Sequence, residues 1–204
     1  RRLERSVAGF TIPHNIKLTW IYDLPLGKGR KWLNDSILSH VIGGWTVTGI
    51  HQYRSGDALS ITGANVQTTL FNGVIRPDWI QGVPVILNHN ADVQTNSSGA
   101  LYLNPAAFAR VPRTGNNVPL RLGTAPVVMP NVRGPAWFSE DFGLQKKFAI
   151  KEATGFELRA DFFNAFNRAL RGNPVTEVTA SNFGKITGTR GGSRNIQVSA
   201  RFTF

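Results

Sequence analysis

The sequence predicts an all-β protein whose long antiparallel strands form a segment of a transmembrane β-barrel. Its 204 residues include 21 Gly and 11 Pro, a composition typical of strands joined by turns and loops. Only 17% of the residues are charged, whereas 13 Phe and 5 Trp are present, which fits strands with a second apolar face. Several segments alternate apolar and polar side chains over about 9 to 11 residues, the length that a tilted strand needs to cross a bilayer.

The clearest alternation lies at the C-terminal end, near 194–204. Polar residues such as Gln197, Ser199 and Arg201 occupy one parity, and an aromatic residue stands on the other parity at the last position. Chain ends are usually frayed and polar, so this pattern favours a strand that faces lipid. A half-buried sheet in a soluble protein alternates as well, and that alternative stays open at this point. The apolar positions of this strand are Ile196, Val198, Ala200, Phe202 and Phe204.

Earlier segments with the same rhythm bring the prediction to about five long strands. They lie near 14–24, 45–55, 138–150 and 156–166. Lys146 interrupts the apolar parity, so it must snorkel, lie near an interface or mark a bulge. The side chains that we expect to face lipid are Leu18, Trp20, Tyr22, Trp45, Phe142, Leu144, Phe148, Leu158 and Phe162. The side chains that we expect to face a wet lumen are Lys17, Asp23, Arg54, Glu157, Arg159, Asp161, Gln197 and Arg201.

The connections between these strands differ in length. The segment 151–155 is a short turn, whereas 56–135 is a long loop with several prolines and little regular pattern. The segment 25–44 carries Leu33, Ile37 and Val41 at helical spacing. This spacing predicts one short amphipathic helix that lies along a membrane interface.

A series of motifs is specific when taken together in chain order, although each motif alone is weak. They are Ile12-Pro13-His14-Asn15, Tyr22-Asp23-Leu24-Pro25-Leu26-Gly27-Lys28-Gly29, Gly44-Trp45, Leu103-Asn104-Pro105-Ala106-Ala107-Phe108, Arg133-Gly134-Pro135, Arg159-Ala160-Asp161-Phe162-Phe163-Asn164-Ala165-Phe166-Asn167 and Arg201-Phe202-Thr203-Phe204. Through these motifs the chain from Ile12 to Phe204 resembles the TonB-dependent receptors of the Oar-like type, many of which carry a carboxypeptidase-regulatory-like domain.

The resemblance implies that residues 1–204 are the C-terminal part of one receptor barrel of about twenty-two strands that encloses a plug domain. It implies a place in the bacterial outer membrane and TonB-dependent uptake of an unidentified large solute, which this segment alone is not expected to perform. The implied partners are membrane lipid, the remaining strands and plug of the same receptor, the TonB protein and the outer-membrane assembly machinery. A signal sequence, a plug and a partner-binding box are missing from the sequence, so we expect the polypeptide to begin further upstream.

The resemblance also assigns a role to the C-terminal strand. The last strand in this family is similar to the signal that the assembly machinery reads, which implies that role for the apolar positions from Ile196 to Phe204. It places Phe204 at the periplasmic rim. Strand alternation then makes 25–44 and 151–155 periplasmic, and makes 56–135 and 167–193 outer loops.

Two other functions stay open. Bacterial barrels have even strand numbers from about 8 upward, so five strands cannot close one; if 56–135 supplied three more, the chain would be a small barrel with an adhesin or structural role. The formal charge of +11 suggests a second alternative, a basic soluble β domain that binds nucleic acid. The basic residues are scattered over connecting segments, however, where they equally fit anionic lipid head groups, so nucleic acid is not expected as a partner.

The sequence predicts no catalytic site, no cofactor-binding site and no metal-binding site. The four His show no ligand spacing, and no Cys is present to complete a zinc site. Glu157, Arg159 and Asp161 occupy successive positions on one strand face, where an arginine that bridges two carboxylates forms an internal salt ladder. The two carboxylates lie roughly 13 Å apart, too far for an acid–base pair. We therefore expect a chain that is not an enzyme, and we expect ligand specificity to lie in the plug and the outer loops.

Overall fold

The computed structural model describes residues 5–32, 38–63, 75–94, 100–115, 118–151 and 154–204. For Leu38, His40, Ala149 and Lys151 it describes the backbone alone. The contacts divide the chain into two compact units. The first, called here the strand unit, comprises Asn15–Tyr53, Phe138–Ala169 and Gly191–Phe204. The second, called the loop unit, comprises Arg1–His14, Arg54–Trp137 and Leu170–Arg190.

Long strands dominate the described secondary structure. In chain order the elements are β1 (Asn15–Asp23), α1 (Leu38–Ile42), β2 (Trp45–Arg54), β3 (Asp78–Trp79), a 3-10 helix (Pro105–Ala107), β4 (Phe108–Ala109), β5 (Trp137–Lys151), β6 (Thr154–Phe163) and β7 (Asn195–Thr203). The five long strands overlap the five predicted segments and form one sheet in the order β1-β2-β5-β6-β7. This arrangement confirms an all-β chain with almost no helix.

The strands pair with their neighbours along the chain, as in a β-meander. β5 pairs antiparallel with β6, and β6 pairs antiparallel with β7. On the other side of β5, the contacts between β1 and β2 run in opposite directions along the two strands: Leu24 N donates to Trp45 O at the end of β1, and Gln52 Nε2 donates to Asn15 Oδ1 at its start. β1 and β7 are the two edges of this sheet.

Two predicted boundaries differ from the structure. The predicted turn 151–155 lies partly within strands, because β5 continues to Lys151 and β6 begins at Thr154. The sequence extends the strand near 156–166 to residue 166, whereas β6 ends at Phe163. Asn164 and Asn167 both adopt positive φ, at 49° and 51°, which ends the extended conformation. The Asn164 backbone N–H donates to Asp141 Oδ1 at 2.8 Å, and its side-chain amide donates to Gly192 O at 3.0 Å. An asparagine turn therefore takes the place of the last residues of the predicted strand.

The loop unit contains its own hydrophobic core. Leu103, Ala107 and Ile186 are completely shielded from solvent, and Ile61 and Met129 are nearly so. These residues come from both the long connection after β2 and the segment before β7, which therefore fold together. The sequence predicts 56–135 as a long loop of little pattern, and the structure shows that its described part is packed around this core.

Arginine side chains hold the irregular backbone of the loop unit in place. Arg133 Nη1 donates to the carbonyl oxygens of Thr11 at 2.7 Å and Gly56 at 3.3 Å. Arg171 Nη1 donates to the carbonyl oxygens of His89 and Ala91, both at 3.0 Å. Backbone carbonyls that lack a strand partner need another donor, and the guanidinium group supplies several donors at once.

A short helix, α1 (Leu38–Ile42), lies within the segment predicted to be helical, and of the three residues that predicted it only Val41 lies in α1. The residues 33–37, including Leu33 and Ile37, lie outside the described residues. Val41 is 66% exposed and Ile42 is 40% exposed, so this short helix presents apolar side chains at its surface. No helix in the described part of the chain has the length and apolar composition needed to cross a membrane.

Candidate functional site

The pairing registers of the strand unit sort side chains onto two opposite faces. One face, called here the apolar face, carries Phe142, Leu144, Lys146 and Phe148 of β5, Phe156, Leu158, Ala160 and Phe162 of β6, and Ile196, Val198, Ala200 and Phe202 of β7. The other, called the polar face, carries Gly143, Gln145 and Lys147 of β5, Glu157, Arg159 and Asp161 of β6, and Gln197, Ser199 and Arg201 of β7. Successive side chains of a strand point to opposite sides, so the sequence alternation becomes two chemically distinct surfaces.

On the polar face, charged side chains pair along and across the strands. Arg159 Nε donates to both carboxylate oxygens of Asp161, at 3.0 and 2.8 Å. Lys147 Nζ lies 3.8 Å from Glu157 Oε2 on the neighbouring strand. Arg201 of β7 stands directly opposite Glu157. The face therefore carries a ladder of alternating charges rather than a single unpaired group.

One detail of the predicted ladder is wrong. We expected Arg159 to bridge two carboxylates, but both of its hydrogen bonds go to Asp161, and Glu157 has Lys147 as its ion-pair partner. The sequence alone did not identify Lys147 as the partner of Glu157, because Lys147 lies on β5. Only the strand register shows that the two residues are neighbours.

The polar face continues onto β1 and β2. Thr46 Oγ1 donates to Asp23 Oδ1 at 2.7 Å, and Arg30 lies 3.4 Å from the same carboxylate. Lys17 is exposed. At the far end of β2, Arg54 pairs with Asp57 at 3.0 Å within the loop unit. Among the candidates for a lumen-facing role, Arg54 is thus the one that the structure assigns to the loop unit.

The apolar face carries an aromatic cluster that joins β1, β2 and β5. Trp20 Nε1 donates to His51 Nε2 at 3.0 Å, and the Phe142 ring meets both rings edge-on, with centroid distances of 6.2 Å to Trp20 and 5.5 Å to His51. Phe166 extends the cluster, with its ring centroid 5.8 Å from that of Phe142.

Gly49 makes room for this cluster. A Cβ atom at that position would overlap the Trp20 indole ring, so glycine lets the indole lie flat over the β2 backbone. The sequence shows Gly49 as a weak point in the alternation of β2. The structure gives its physical reason, since aromatic side chains often cover a glycine in a sheet.

Lys146 is the exception on the apolar face, and the sequence left three explanations for it. Its side chain is only 3% exposed, and its ammonium donates to Val41 O of α1 at 2.7 Å. The same ammonium lies over the Trp45 and Phe148 rings, 5.6 and 4.6 Å from their centroids. Cation–π contacts and a carbonyl acceptor compensate for the lost hydration, and the register shift of β5 comes later, between Ala149 and Lys151.

Of the remaining lipid-facing candidates, Leu144, Leu158 and Phe162 on the middle strands are half-buried, whereas those on the edge strand β1 are exposed. Leu18 is 57% exposed and Tyr22 is 52% exposed on β1, while Val198 of β7 is 73% exposed. Phe204 follows β7, is 94% exposed and stacks with Phe202 at a centroid distance of 6.1 Å. Large apolar side chains exposed on the same face of both edge strands mark a face that an apolar environment would cover.

No group of three or more His, Asp or Glu side chains suited to a metal ion occurs within the described residues. His14 takes part in backbone contacts with Ser55, and His51 belongs to the aromatic cluster. His89 meets Tyr102 edge-on at a centroid distance of 6.1 Å. The side chain of His40 lies outside the described residues.

An antiparallel sheet of long strands, apolar on one face and charged on the other, has the features expected of the wall of a transmembrane β-barrel. The family model described as "Outer membrane beta barrel domain" matches residues 1–197. The chain therefore belongs to this family and is placed in the outer membrane. A search of curated proteins and a search of solved structures each found no match.

Proposed function

We propose that this chain is part of the barrel of a TonB-dependent receptor of the Oar-like type, which takes up a large solute across the outer membrane and has no enzymatic activity. The observation that carries the proposal is the division of the chain into a sheet with two unlike faces and a folded loop unit. Together, the wall of a pore and a structured body built from its loops suit the capture and passage of a solute.

The direction of the edge strands supports a larger barrel. Alternation along the meander makes β1 and β7 run the same way, so β7 cannot pair antiparallel with β1, whether of the same chain or of a second copy. An all-antiparallel closure needs an odd number of additional strands between them. Seventeen further strands would complete the barrel of about twenty-two that the family resemblance implies.

Two exposed isoleucines on the polar face support a body that fills the lumen. Ile21 of β1 is 72% exposed and Ile50 of β2 is 48% exposed, and both have the parity of the polar residues on their strands. Apolar side chains that face only water gain nothing from that position. A plug domain packed against β1 and β2 would bury them.

A small barrel with an adhesin or structural role is the second candidate. It needs three more membrane-length strands from the connection between β2 and β5. The described residues of that connection contain only β3 and β4, each two residues long. Their apolar side chains serve the core of the loop unit, which favours the receptor over the small barrel.

The receptor proposal is tested by measuring whether the protein binds TonB. The complete protein that carries this chain is purified in detergent and titrated with the periplasmic domain of TonB from the same organism. We expect saturable binding; lack of binding to an intact, heat-modifiable barrel would contradict the proposal.

The plug is tested by crosslinking within the same protein. A photo-crosslinking amino acid is placed at Ile21 on the polar face, and in a matched control at the adjacent Tyr22 on the apolar face. We expect Ile21 to capture a segment N-terminal to this chain and Tyr22 not to do so. Equal capture from both positions would contradict a plug on the polar face.

A further inference from the structure

The connection between β1 and β2 (residues 25–44) carries basic and apolar side chains at one end of the sheet. Lys28, Arg30 and Lys31 lie in a tight turn followed by Trp32, and all four side chains are exposed. Val41 and Ile42 of α1 add exposed apolar surface to the same connection. Basic side chains beside tryptophan and aliphatic groups are the composition of a membrane interface.

Close contacts hold the basic turn against the end of α1. Gly27 N donates to Trp32 O at 2.9 Å, and Trp32 N donates to Pro25 O at 3.1 Å, which closes the basic turn. Gly44 N donates to Leu26 O at 3.2 Å, which brings the turn against the end of α1. Gly27 has a φ of 106° and lies against Gly43 so closely that a Cβ atom on either residue would overlap the other. The basic turn and α1 are therefore one packed piece.

Lys146 fastens this piece to the apolar face. Its hydrogen bond to Val41 O joins α1 to β5, and its ammonium also lies over Trp45, the first residue of β2. The connection therefore adjoins the apolar face at the level of Lys146. Because that face is the one expected to meet lipid, α1 and the basic turn packed against it would lie near the level of the lipid head groups.

Within the described part of the chain, one of the three basic side chains of the turn has a carboxylate partner. Arg30 pairs with Asp23 at 3.4 Å, whereas among the described residues no carboxylate pairs with Lys28 or Lys31. Lys31 Nζ lies 5.4 Å from the centroid of the Trp32 ring, so the ammonium and the indole are exposed side by side. Asp35 lies outside the described residues. Two exposed ammonium groups beside apolar side chains complement the phosphate of an anionic lipid.

We propose that the basic turn and α1 form a docking surface for the head groups of anionic phospholipid. Lys28 and Lys31 contact the phosphates, Trp32 lies at the level of the glycerol backbone, and Val41 and Ile42 enter the acyl region. The choice of phospholipid over the phosphates of lipid A rests on the strand direction of the proposed receptor, which makes this end of the sheet periplasmic. Binding would hold the end of the sheet at a fixed depth in the membrane.

The test measures which lipids stay bound. The complete protein is extracted in mild detergent and exchanged against equal amounts of phosphatidylglycerol, phosphatidylethanolamine and lipid A, and retained lipid is counted by native mass spectrometry. The test variant is Lys28→Gln with Lys31→Gln, and the matched control is Arg5→Gln with Arg110→Gln, which removes two exposed charges from the loop unit. A heat-modifiable gel shift checks that every variant is folded.

We expect the protein and the control variant to prefer phosphatidylglycerol over phosphatidylethanolamine. Each lysine near an anionic surface strengthens binding about fivefold, so the test variant should lose up to about thirtyfold in that preference. Raised salt should weaken the preference of the unmodified protein for phosphatidylglycerol. This measurement tests the proposal without any substitution. An unchanged preference in the test variant, salt-independent retention, or preferential retention of lipid A would each overturn the proposal. TonB binding is measured separately, so a failure here is distinct from a failure of the receptor proposal.

Discussion

The ammonium of Lys146 on β5 donates a hydrogen bond of 2.7 Å to the carbonyl oxygen of Val41 in α1. The two residues are 105 positions apart in the sequence. The bond crosses from the apolar face of the sheet to the connection between β1 and β2. It explains how a charged residue occupies the apolar parity of a strand without facing lipid. A buried cation needs a partner, and here a helix-terminal carbonyl and two aromatic rings provide one.

Replacing Lys146 with methionine should release the connection between β1 and β2. The variant keeps the length of the side chain but removes a charged hydrogen bond of about 1–3 kcal/mol, so local opening should become about tenfold more frequent. Trypsin cleavage after Lys28, Arg30 and Lys31 measures this opening. The matched control is Lys147→Met, on the opposite face and 71% exposed, which should cleave at the original rate. Equal rates for the two variants would contradict the anchoring role of Lys146.

Replacing Gly49 with alanine should disturb the aromatic cluster. The added methyl group would overlap the Trp20 indole, so the variant should lose about 1–3 kcal/mol of stability from overpacking. The midpoint of heat-modifiable unfolding measures the loss. In a Trp20→Ala background the same substitution has no ring to displace and should cost much less. Strictly additive losses would show that the indole does not rest on Gly49.

The ion pair of Asp78 and Arg121 in the loop unit should give a pH-dependent stability. The carboxylate accepts two hydrogen bonds from the guanidinium, at 2.6 and 2.7 Å, and this pairing lowers the pKa of Asp78 below its ordinary value of 3.8. A lowered folded-state pKa stabilises the protein at pH values above the unfolded-state pKa, and this contribution disappears as the pH falls through the folded-state value.

Asp78→Asn should therefore lower stability at neutral pH, by a small amount because Arg121 is exposed to solvent. The difference from the unmodified protein should shrink as the pH falls below 3.8. Proteolysis of the loop unit as a function of denaturant measures the difference. A constant deficit down to the lowest pH would contradict the role of the ionised carboxylate.

Placing aspartate at Phe202 should reduce insertion of the protein into the outer membrane. The side chain lies on the apolar face of the edge strand β7, where a carboxylate would have to enter lipid. Thr203→Asp, one position along on the opposite face, is the matched control and should insert normally. Deleting Phe204 should also reduce insertion if the final strand is the assembly signal. The fraction of heat-modifiable protein on a gel measures insertion, and equal fractions for the two aspartate variants would contradict this assignment.

The sequence predicted the sheet well because its signal is local. A strand such as β7 alternates with period two, so the side on which Val198 or Arg201 lies follows from its parity alone. The loop unit has no such rhythm. Its core joins residues far apart in sequence, such as Leu59, Leu103 and Ile186, and only the folded chain shows that they meet. The partners of Lys146 and Glu157 were missed for the same reason, since each lies on another element.

The central claim is that one face of this sheet meets lipid and the other meets water. The chain contains no Cys, so single cysteines can be introduced along β7 from Ile196 to Phe202 and spin-labelled in the complete protein in lipid bilayers. The accessibility of each label to oxygen, which partitions into lipid, is compared with its accessibility to a water-soluble nickel complex. We expect strict alternation, with oxygen favoured at positions 196, 198, 200 and 202 and nickel favoured at 197, 199 and 201. Labels at the even positions that are shielded from both reagents would place them in a protein core and contradict the claim.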